Sequence, residues 1–426
     1  MKLLNGELRC LTLRDRASTV MMLRSVRLTV LALAIVVSCG GASAQPSDKK
    51  YGPGVTDQEI KLGQTVPYSG PVSPAAALGR GALAYFEKVN REKGGVNGRK
   101  IKLISLDDAY SPPKAVEQTR KLVEEDGVLA IVGSAGSPTG VAAQAYLNKV
   151  GVPQLLQISG SRKFNDPKHS PWSTGLFIPF YTEGQIFGKL ILKSWPNAKI
   201  AVLHPNDELG REYLAGLRSG LGDKADTMIV KVVTYEDLSP TIDSQVAQLS
   251  SSGADLFFNA AVTKFASQSI RRAREIGWNV RMIVPSISGS IGQVIKPAGV
   301  QNAKGLISAL WQKDPSDPRW SNDKDVKDYL KFVKTYLPGV NPDEMAYSTG
   351  YMVGDLVETI LKRCGDDLTR ENVMKQATNL RGISLALGLP ESSYENSPED
   401  NNLIRHLQIV EFDGEKWTPF AAQSGN

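Results

Sequence analysis

Val128-Leu129-Ala130-Ile131-Val132, running directly into Gly133-Ser134-Ala135-Gly136-Ser137-Pro138-Thr139, decides how the rest of the chain is read. An unbroken apolar run of this length marks a strand buried on both faces, as the strands of parallel sheets are. The glycines free the backbone for a turn, and Ser137-Pro138 then opens a helix that runs to Lys149. One strand-turn-helix unit cannot bury both strand faces alone, so similar units are expected on either side.

They are present. Upstream, Ile60 to Val66 reads as a strand, Gly81 to Lys93 as a helix ended by Gly94-Gly95, and Ile101 to Leu106 as a second strand. Pro112-Pro113 opens a helix in which Val116, Thr119, Leu122 and Val123 form a buried stripe. Downstream, Pro153 to Gln157 is a short strand. After the Pro- and aromatic-rich stretch Pro171 to Tyr181, a second series begins. It comprises helix Glu183 to Trp195, strand Ile200 to Leu203, helix Arg211 to Leu221 and strand Met228 to Val233. A helix carrying Ile242, Val246 and Leu249 on one face follows, then strand Leu256 to Asn259, helix Phe265 to Ile276 and strand Met282 to Val284. Helices near Tyr329 to Tyr336 and Tyr347 to Arg363 precede a terminal hairpin, Leu403 to Phe412, turning at Asp413-Gly414 before Trp417. The class is α/β, with two open sheets built in succession.

The N-terminus has the form of a secretory signal peptide. Arg24 and Arg27 precede the apolar run Val30 to Val37, and Ala42-Ser43-Ala44 places a cut between Ala44 and Gln45. The run falls short of the ~20 apolar residues that span a bilayer. Residues Met1 to Val20 read as sequence upstream of a start at Met21 or Met22. Cys39 leaves a second processing route open, because small residues before a cysteine also mark a lipoprotein signal; either route places the folded part outside the cytoplasm. Cleavage at Ala44 leaves Cys364 as the one cysteine, so no intrachain disulfide forms. The first 44 residues hold six of the 50 Lys+Arg and two of the 44 Asp+Glu, so the remainder carries a net +2 and no basic footprint for nucleic acid. About 380 residues remain, too many for one core.

In open α/β sheets, ligands bind beyond the carboxyl ends of the strands. Three loops of the first series meet that description: Gly133 to Thr139, Ser159-Gly160-Ser161, and Pro67-Tyr68-Ser69-Gly70-Pro71. Ser137 and the helix N-terminal N–H groups suit an anion; an ordinary Gly/Ser turn with a capping serine explains that loop alone equally well. Three adjacent strand ends that all offer small or hydroxyl residues favour a shared pocket. The second series offers Pro205 to Leu209, Ala260-Ala261-Val262-Thr263 and Pro285-Ser286-Ile287-Ser288. Catalytic signatures are missing. His169, His204 and His406 lack metal-site spacing, and neither a Gly-x-Ser-x-Gly elbow nor a phosphate loop occurs. No cofactor or metal is expected.

Lys61-Leu62-Gly63 through Pro71, Gly94 to Lys100, Leu106-Asp107-Asp108, Pro113 to Val116, Ile131 to Ser137, Gly151-Val152-Pro153, Asn206-Asp207 before Gly210, and Phe265 to Gly277 together resemble the branched-chain amino acid binding proteins of ABC transporters. The resemblance covers nearly all of the chain after the leader. It implies a type I periplasmic binding fold: two doubly wound lobes joined by three crossovers, a hinge that closes on a small ligand, inner-membrane ABC permease subunits as partners, and a monomer in the periplasm. Lobe 1 is then expected to hold residues 45–177 and 309–364, and lobe 2 residues 178–308 and 365–426. The crossings fall near Thr174 to Pro179, near Ser308 to Trp311, and shortly after Cys364.

Carried over by position, Ser137, Ser159 and Ser161 match groups that hold a ligand carboxylate, with Tyr68, Gly160, Leu209, Val262 and Ser286 completing the lining. The chain departs from the family at the position of the acid that faces the ligand ammonium, where it has Ser286. Ala75 and Leu209 stand where the family has aromatic residues. A buried ammonium without a counter-charge is costly. Either Asp207 or Glu208 supplies that charge, or the ligand lacks an amine and is an aromatic or aliphatic acid or an amide. Two other classes share parts of this reading: a sensor that presents its ligand to a membrane receptor, and a secreted hydrolase, which the missing catalytic motifs oppose.

Overall fold

The structure is a computed structural model describing residues 49–70, 72–236, 239–390 and 392–421. The leader, its cleavage site, Cys39 and Pro71 lie outside the described residues. The first sheet has five parallel strands in the order β3-β2-β4-β5-β6: β2 is Glu59–Val66, β3 Lys100–Asp107, β4 Ala130–Val132, β5 Gln154–Gln157 and β6 Ser173–Gly175. The second has seven, in the order β14-β13-β11-β10-β9-β7-β8: β7 Ile200–Pro205, β8 Ile229–Tyr235, β9 Leu256–Asn259, β10 Arg281–Ile283, β11 Ile307–Leu310, β13 Gln408–Phe412 and β14 Trp417–Pro419. Among the described strands of this sheet, β13 runs antiparallel to both of its neighbours, β11 and β14, and the other pairings are parallel.

Both sheets are sandwiched, and strand alternation shows it. On β7, Ala201 and Leu203 join one core cluster while Ile200 and Val202 join the opposite one; on β9, Phe257 and Phe258 divide the same way. Neither face of these strands meets water, which is why their sequences read as apolar runs rather than alternating ones. In the first sheet Ala130 and Val132 of β4 face a large core built with the helices Ala76–Lys93 and Met345–Cys364, while Ile131 packs with Leu122, Ala143 and Leu147 on the other side.

The chain passes between the sheets three times. It leaves β6 at Gly175 and enters the helix Phe180–Ser194 of the second lobe. After β11 it returns, and Tyr329, Phe332 and Val333 of the helix Lys324–Tyr336 join the first core. The third passage corrects the expected boundary after Cys364. A two-residue strand β12, Asp367–Leu368, pairs in parallel with β1, Lys50–Tyr51. Beyond it, Val373 and Met374 of the helix Arg370–Ala377, then Leu380, Leu385, Leu387, Tyr394 and Ile404, all pack into the first core. Residues 365–387 and 394–404 therefore belong with the first core, Leu389 between them touches the second, and the chain joins the second sheet at β13. Burial decides the matter: these side chains cover the apolar flank of Met345–Cys364, which otherwise faces water.

The two long helices of the first lobe cross at glycines. A Cβ on Gly350 would run into the Leu78 carbonyl and stand 2.9 Å from the Ala82 nitrogen, and one on Gly81 would stand 2.6 Å from the Tyr347 carbonyl. Because both contacts are with backbone, no rotamer change relieves them. Gly350→Ala is expected to cost about 1–3 kcal/mol by overpacking, read as a lowered midpoint of chemical denaturation at unchanged slope.

Candidate functional site

Parallel pairing puts the carboxyl ends of β2, β4 and β5 on one edge of the first sheet and those of β7, β9 and β10 on one edge of the second. At the end of β4, Gly136 adopts φ +102 and no side chain caps the helix Ser137–Val150 that follows, so its first N–H groups are left for another acceptor. Ser137 Oγ lies 2.7 Å from Ser159 Oγ, and Ser159 Oγ accepts the Ser161 N–H at 3.0 Å. All three serines are at most 5 % exposed. The arrangement joins two hydroxyls, one polarised N–H and the positive end of a 14-residue helix in one place, which is the chemistry of a carboxylate receptor.

Gly160 between these serines is held against the first crossover. Its carbonyl accepts the Phe180 N–H at 2.8 Å, and a Cβ there would lie 2.6 Å from the Ile178 carbonyl. The serine loop is thus fastened to the first crossover between the lobes.

Across the lobes, Ser161 Oγ donates to Glu208 Oε1 at 3.2 Å and lies 3.4 Å from Glu212 Oε1. The Arg162 N–H donates to both Glu212 oxygens at 3.3 Å, and Lys163 Nζ pairs with Glu208 Oε2 at 3.0 Å. Burial pushes the Glu212 carboxyl up, opposed by the Arg162 N–H and the Arg162 charge. A cavity of about 790 Å³ opens beside these pairs, lined among others by Arg162, Pro179, Glu208, Arg211, Glu212 and Asn402. Ser137, Ser159 and Ser286 do not line it.

The structure does not bring every expected lining residue to the serines. The Tyr68 hydroxyl lies 2.7 Å from Ser105 Oγ, which donates to Gln64, whose amide donates to the Gly133 carbonyl; the phenol thus belongs to a network behind the sheet edge. Leu209 packs against the second-lobe core, and the Val262 N–H donates to the Tyr235 hydroxyl at 3.1 Å. Asp207, one of the two acids considered as a counter-charge, caps the helix Glu208–Leu221 by accepting the Gly210 N–H at 2.9 Å. The other, Glu208, does reach Ser161.

Ser286 is engaged by an acid that reading the chain passed over. Glu183, fully buried, accepts the Ser286 N–H at 2.6 Å, the Ser286 hydroxyl at 3.0 Å and the Tyr213 hydroxyl at 2.8 Å. Its signal in the sequence is periodicity: Phe180, Glu183, Phe187 and Ile191 fall on one helix face, so a carboxylate sits in an apolar stripe. Glu212 is marked the same way, beside Tyr213 and between Leu209 and Leu217.

Burial raises the Glu183 carboxyl from an ordinary 4.5 to about 7, against the three hydrogen bonds that favour its charged form. Between those values the folded protein holds a proton that the unfolded chain has released, so stability falls as pH rises from about 4.5 to about 7. Thermal denaturation at pH 5, 6, 7 and 8 is expected to show that decline in the native protein and a flatter curve in Glu183→Gln. An unchanged slope in the variant contradicts this assignment.

Among the described residues, no group of three or more His, Cys, Asp or Glu is placed to hold a metal ion, and no helix is long and apolar enough to cross a membrane. Residues 59–416 match the family model described as periplasmic binding protein. A leucine-, isoleucine-, valine-, threonine- and alanine-binding protein of Pseudomonas aeruginosa is 25 % identical over 270 residues, covering 61 % of this chain and 68 % of its own length. Among solved structures, a branched-chain amino acid ABC transporter protein from Thermus thermophilus with bound valine superposes with a TM-score of 0.75 at 16 % identity, over 86 % of this chain and 97 % of that one. A solute binding protein of an R. palustris ABC transporter, in complex with benzoate, does so with a TM-score of 0.69 at 20 % identity, over 85 % of this chain and 95 % of that one. The fold of two parallel-sheet lobes joined by three crossovers is the type I periplasmic binding fold, and the chain belongs to the periplasmic binding protein family, whose members bind solutes rather than transform them.

Proposed function

We propose that this protein is the solute-binding component of an ABC importer, capturing a small carboxylate-bearing ligand between its lobes and presenting the closed form to permease subunits in the inner membrane. The observation that carries the reading is the buried serine trio at the helix N-terminus: Ser137 and Ser159 hydroxyls 2.7 Å apart, with Ser161 attached through its N–H. The Ser137 and Ser159 hydroxyls share a hydrogen bond. A carboxylate arriving there takes both as donors, and a charged acceptor strengthens each bond. Closure follows if the ligand also touches the second lobe, since a ligand shifts the equilibrium only through its preference for the closed form. The leader reading, with cleavage between Ala44 and Gln45, places this work in the periplasm, as the family does.

A ligand without an amine is the second reading. It is favoured by Ser286 standing at the end of β10 where a carboxylate would neutralise an ammonium, and the benzoate of the R. palustris neighbour is an example of such a ligand.

Calorimetric titration of the protein cleaved at Ala44 with leucine, valine, 4-methylpentanoate and benzoate tests the reading. At 100 times its dissociation constant, a bound ligand is expected to add about 2.7 kcal/mol of stability. Ser137→Ala is expected to weaken that ligand about tenfold or more, the size of one hydrogen bond to a charged group. Absence of binding by every carboxylate offered rejects the reading.

A further inference from the structure

The Gly136–Ser137 peptide leads into the helix that carries the first serine, and its own torsions do not fix its plane. Gly136 stands at φ +102 and ψ 141, a conformation open to glycine, whose backbone turns more freely than that of any other residue. A buried amide holds it. Gln157, at the carboxyl end of β5, donates from Nε2 to the Gly136 carbonyl at 2.9 Å. Because a peptide unit is planar and trans, anchoring that carbonyl turns the Ser137 N–H the opposite way, out of the helix N-terminus.

The Gln157 amide is itself oriented. Gln154 Nε2 donates to Gln157 Oε1 at 3.1 Å, Ser173 Oγ donates to Gln154 Oε1 at 3.3 Å, and Asn148 Nδ2 donates to Ser173 Oγ at 3.1 Å. Every bond in this row runs in one direction and the last ends on the Gly136 carbonyl, so each strengthens the next. Residues three apart on a regular strand face opposite sides. Here a shift of register between Gln154 and Gln157, with Leu156 at φ +53, sets the two amides side by side. Gln154, Gln157 and Ser173 are at most 1 % exposed. Satisfying a carbonyl does not account for Gln157, since the Gly136 carbonyl already accepts the Gly140 N–H at 3.2 Å. Burying two amides in a segment otherwise made of Leu155, Leu156 and Ile158 costs more than burying leucines there. Gly140 clears the space, for a Cβ on it would lie 2.6 Å from Gln157 Cδ.

We infer that Gln157 is a positioning residue: it locks the Gly136–Ser137 peptide so that the Ser137 N–H is presented to the ligand carboxylate beside the serine hydroxyls. This inference rests on the reading that the carboxylate is held by the serine trio, and Gln157 acts on it through one peptide unit without touching it. The donor is strengthened as well as aimed, because a carbonyl that accepts two hydrogen bonds polarises the N–H of the same peptide.

Protein cleaved at Ala44 and isotopically labelled at its serine amides is titrated with leucine, valine, 4-methylpentanoate and benzoate, and followed by nuclear magnetic resonance. The Ser137 amide is identified by its disappearance in Ser137→Ala. In native protein a bound carboxylate is expected to move that amide proton downfield. Gln157→Met, a side chain of similar length without the donor, is compared once circular dichroism and thermal melting show it to be folded. It is expected to bind the same carboxylate about tenfold more weakly, with a smaller Ser137 shift. A folded Gln157→Met protein that binds as tightly as native, or that binds more weakly with the Ser137 shift unchanged, overturns the inference and leaves the carboxylate reading standing. So does a native Ser137 amide that stays in place when a carboxylate binds, a result that does not depend on the folding of the Gln157 variant. Failure of every carboxylate offered to bind native protein rejects the carboxylate reading and this inference with it.

Discussion

Parallel pairing is the constraint from which the functional organisation follows. A parallel strand cannot be joined to its neighbour by a tight turn, so each connection crosses a face of the sheet as a helix, and every strand-to-helix loop emerges at the same edge. In the first sheet that edge carries Ser137, Ser159 and Ser161; in the second it carries the loops after β7, β9 and β10. Nothing catalytic is required of such an edge. It concentrates backbone N–H groups, hydroxyls and helix N-termini, and those are the groups that replace the water lost by a small anion on burial.

The two edges differ electrostatically. The Ser137, Ser159 and Ser161 loops of the first lobe present donors, while the Asp107 carboxylate beside the loop after β2 is engaged by Ser69 and Lys114. The second-lobe side presents acids, Glu208 and Glu212 at the surface of the contact with Ser161, Arg162 and Lys163, and Glu183 behind Ser286. The exposed Lys163–Glu208 pair lies in water-accessible surroundings and contributes little to stability. Glu183 is different in kind, because it is desolvated and its three hydrogen bonds come from neutral groups. Such a group costs stability where it sits.

The contrast between legible and illegible parts of the chain follows the range of the interactions involved. Strands such as Leu256–Asn259 and the helix opened by Ser137-Pro138 are marked by near neighbours, and their positions agree with the pattern read from the chain. The strands β1 and β12 have two residues each and no periodicity to detect. The helix Arg370–Ala377 buries only Val373, Met374 and Ala377, too few for a clear stripe, and with it went the position of the third crossing. The serine trio was visible because each serine follows an apolar strand. Glu183 and Glu212 were legible only as acids on apolar stripes, a signal that says buried without saying against what.

By itself, the sequence determined the strands β2 to β5 and β7 to β10 with the helices between them, the division into two open sheets, and the hydroxyl-rich strand ends of the first lobe, because each of these is written in residues a few positions apart; β6 and β11 it left unmarked. Tertiary structure alone decided that the Tyr68 phenol turns to Ser105, that residues 365–387 and 394–404 return to the first core, and that Glu183 meets Ser286 at a separation of 103 positions. Those outcomes depend on how the crossovers place one element beside another, and no local pattern of side chains encodes that placement.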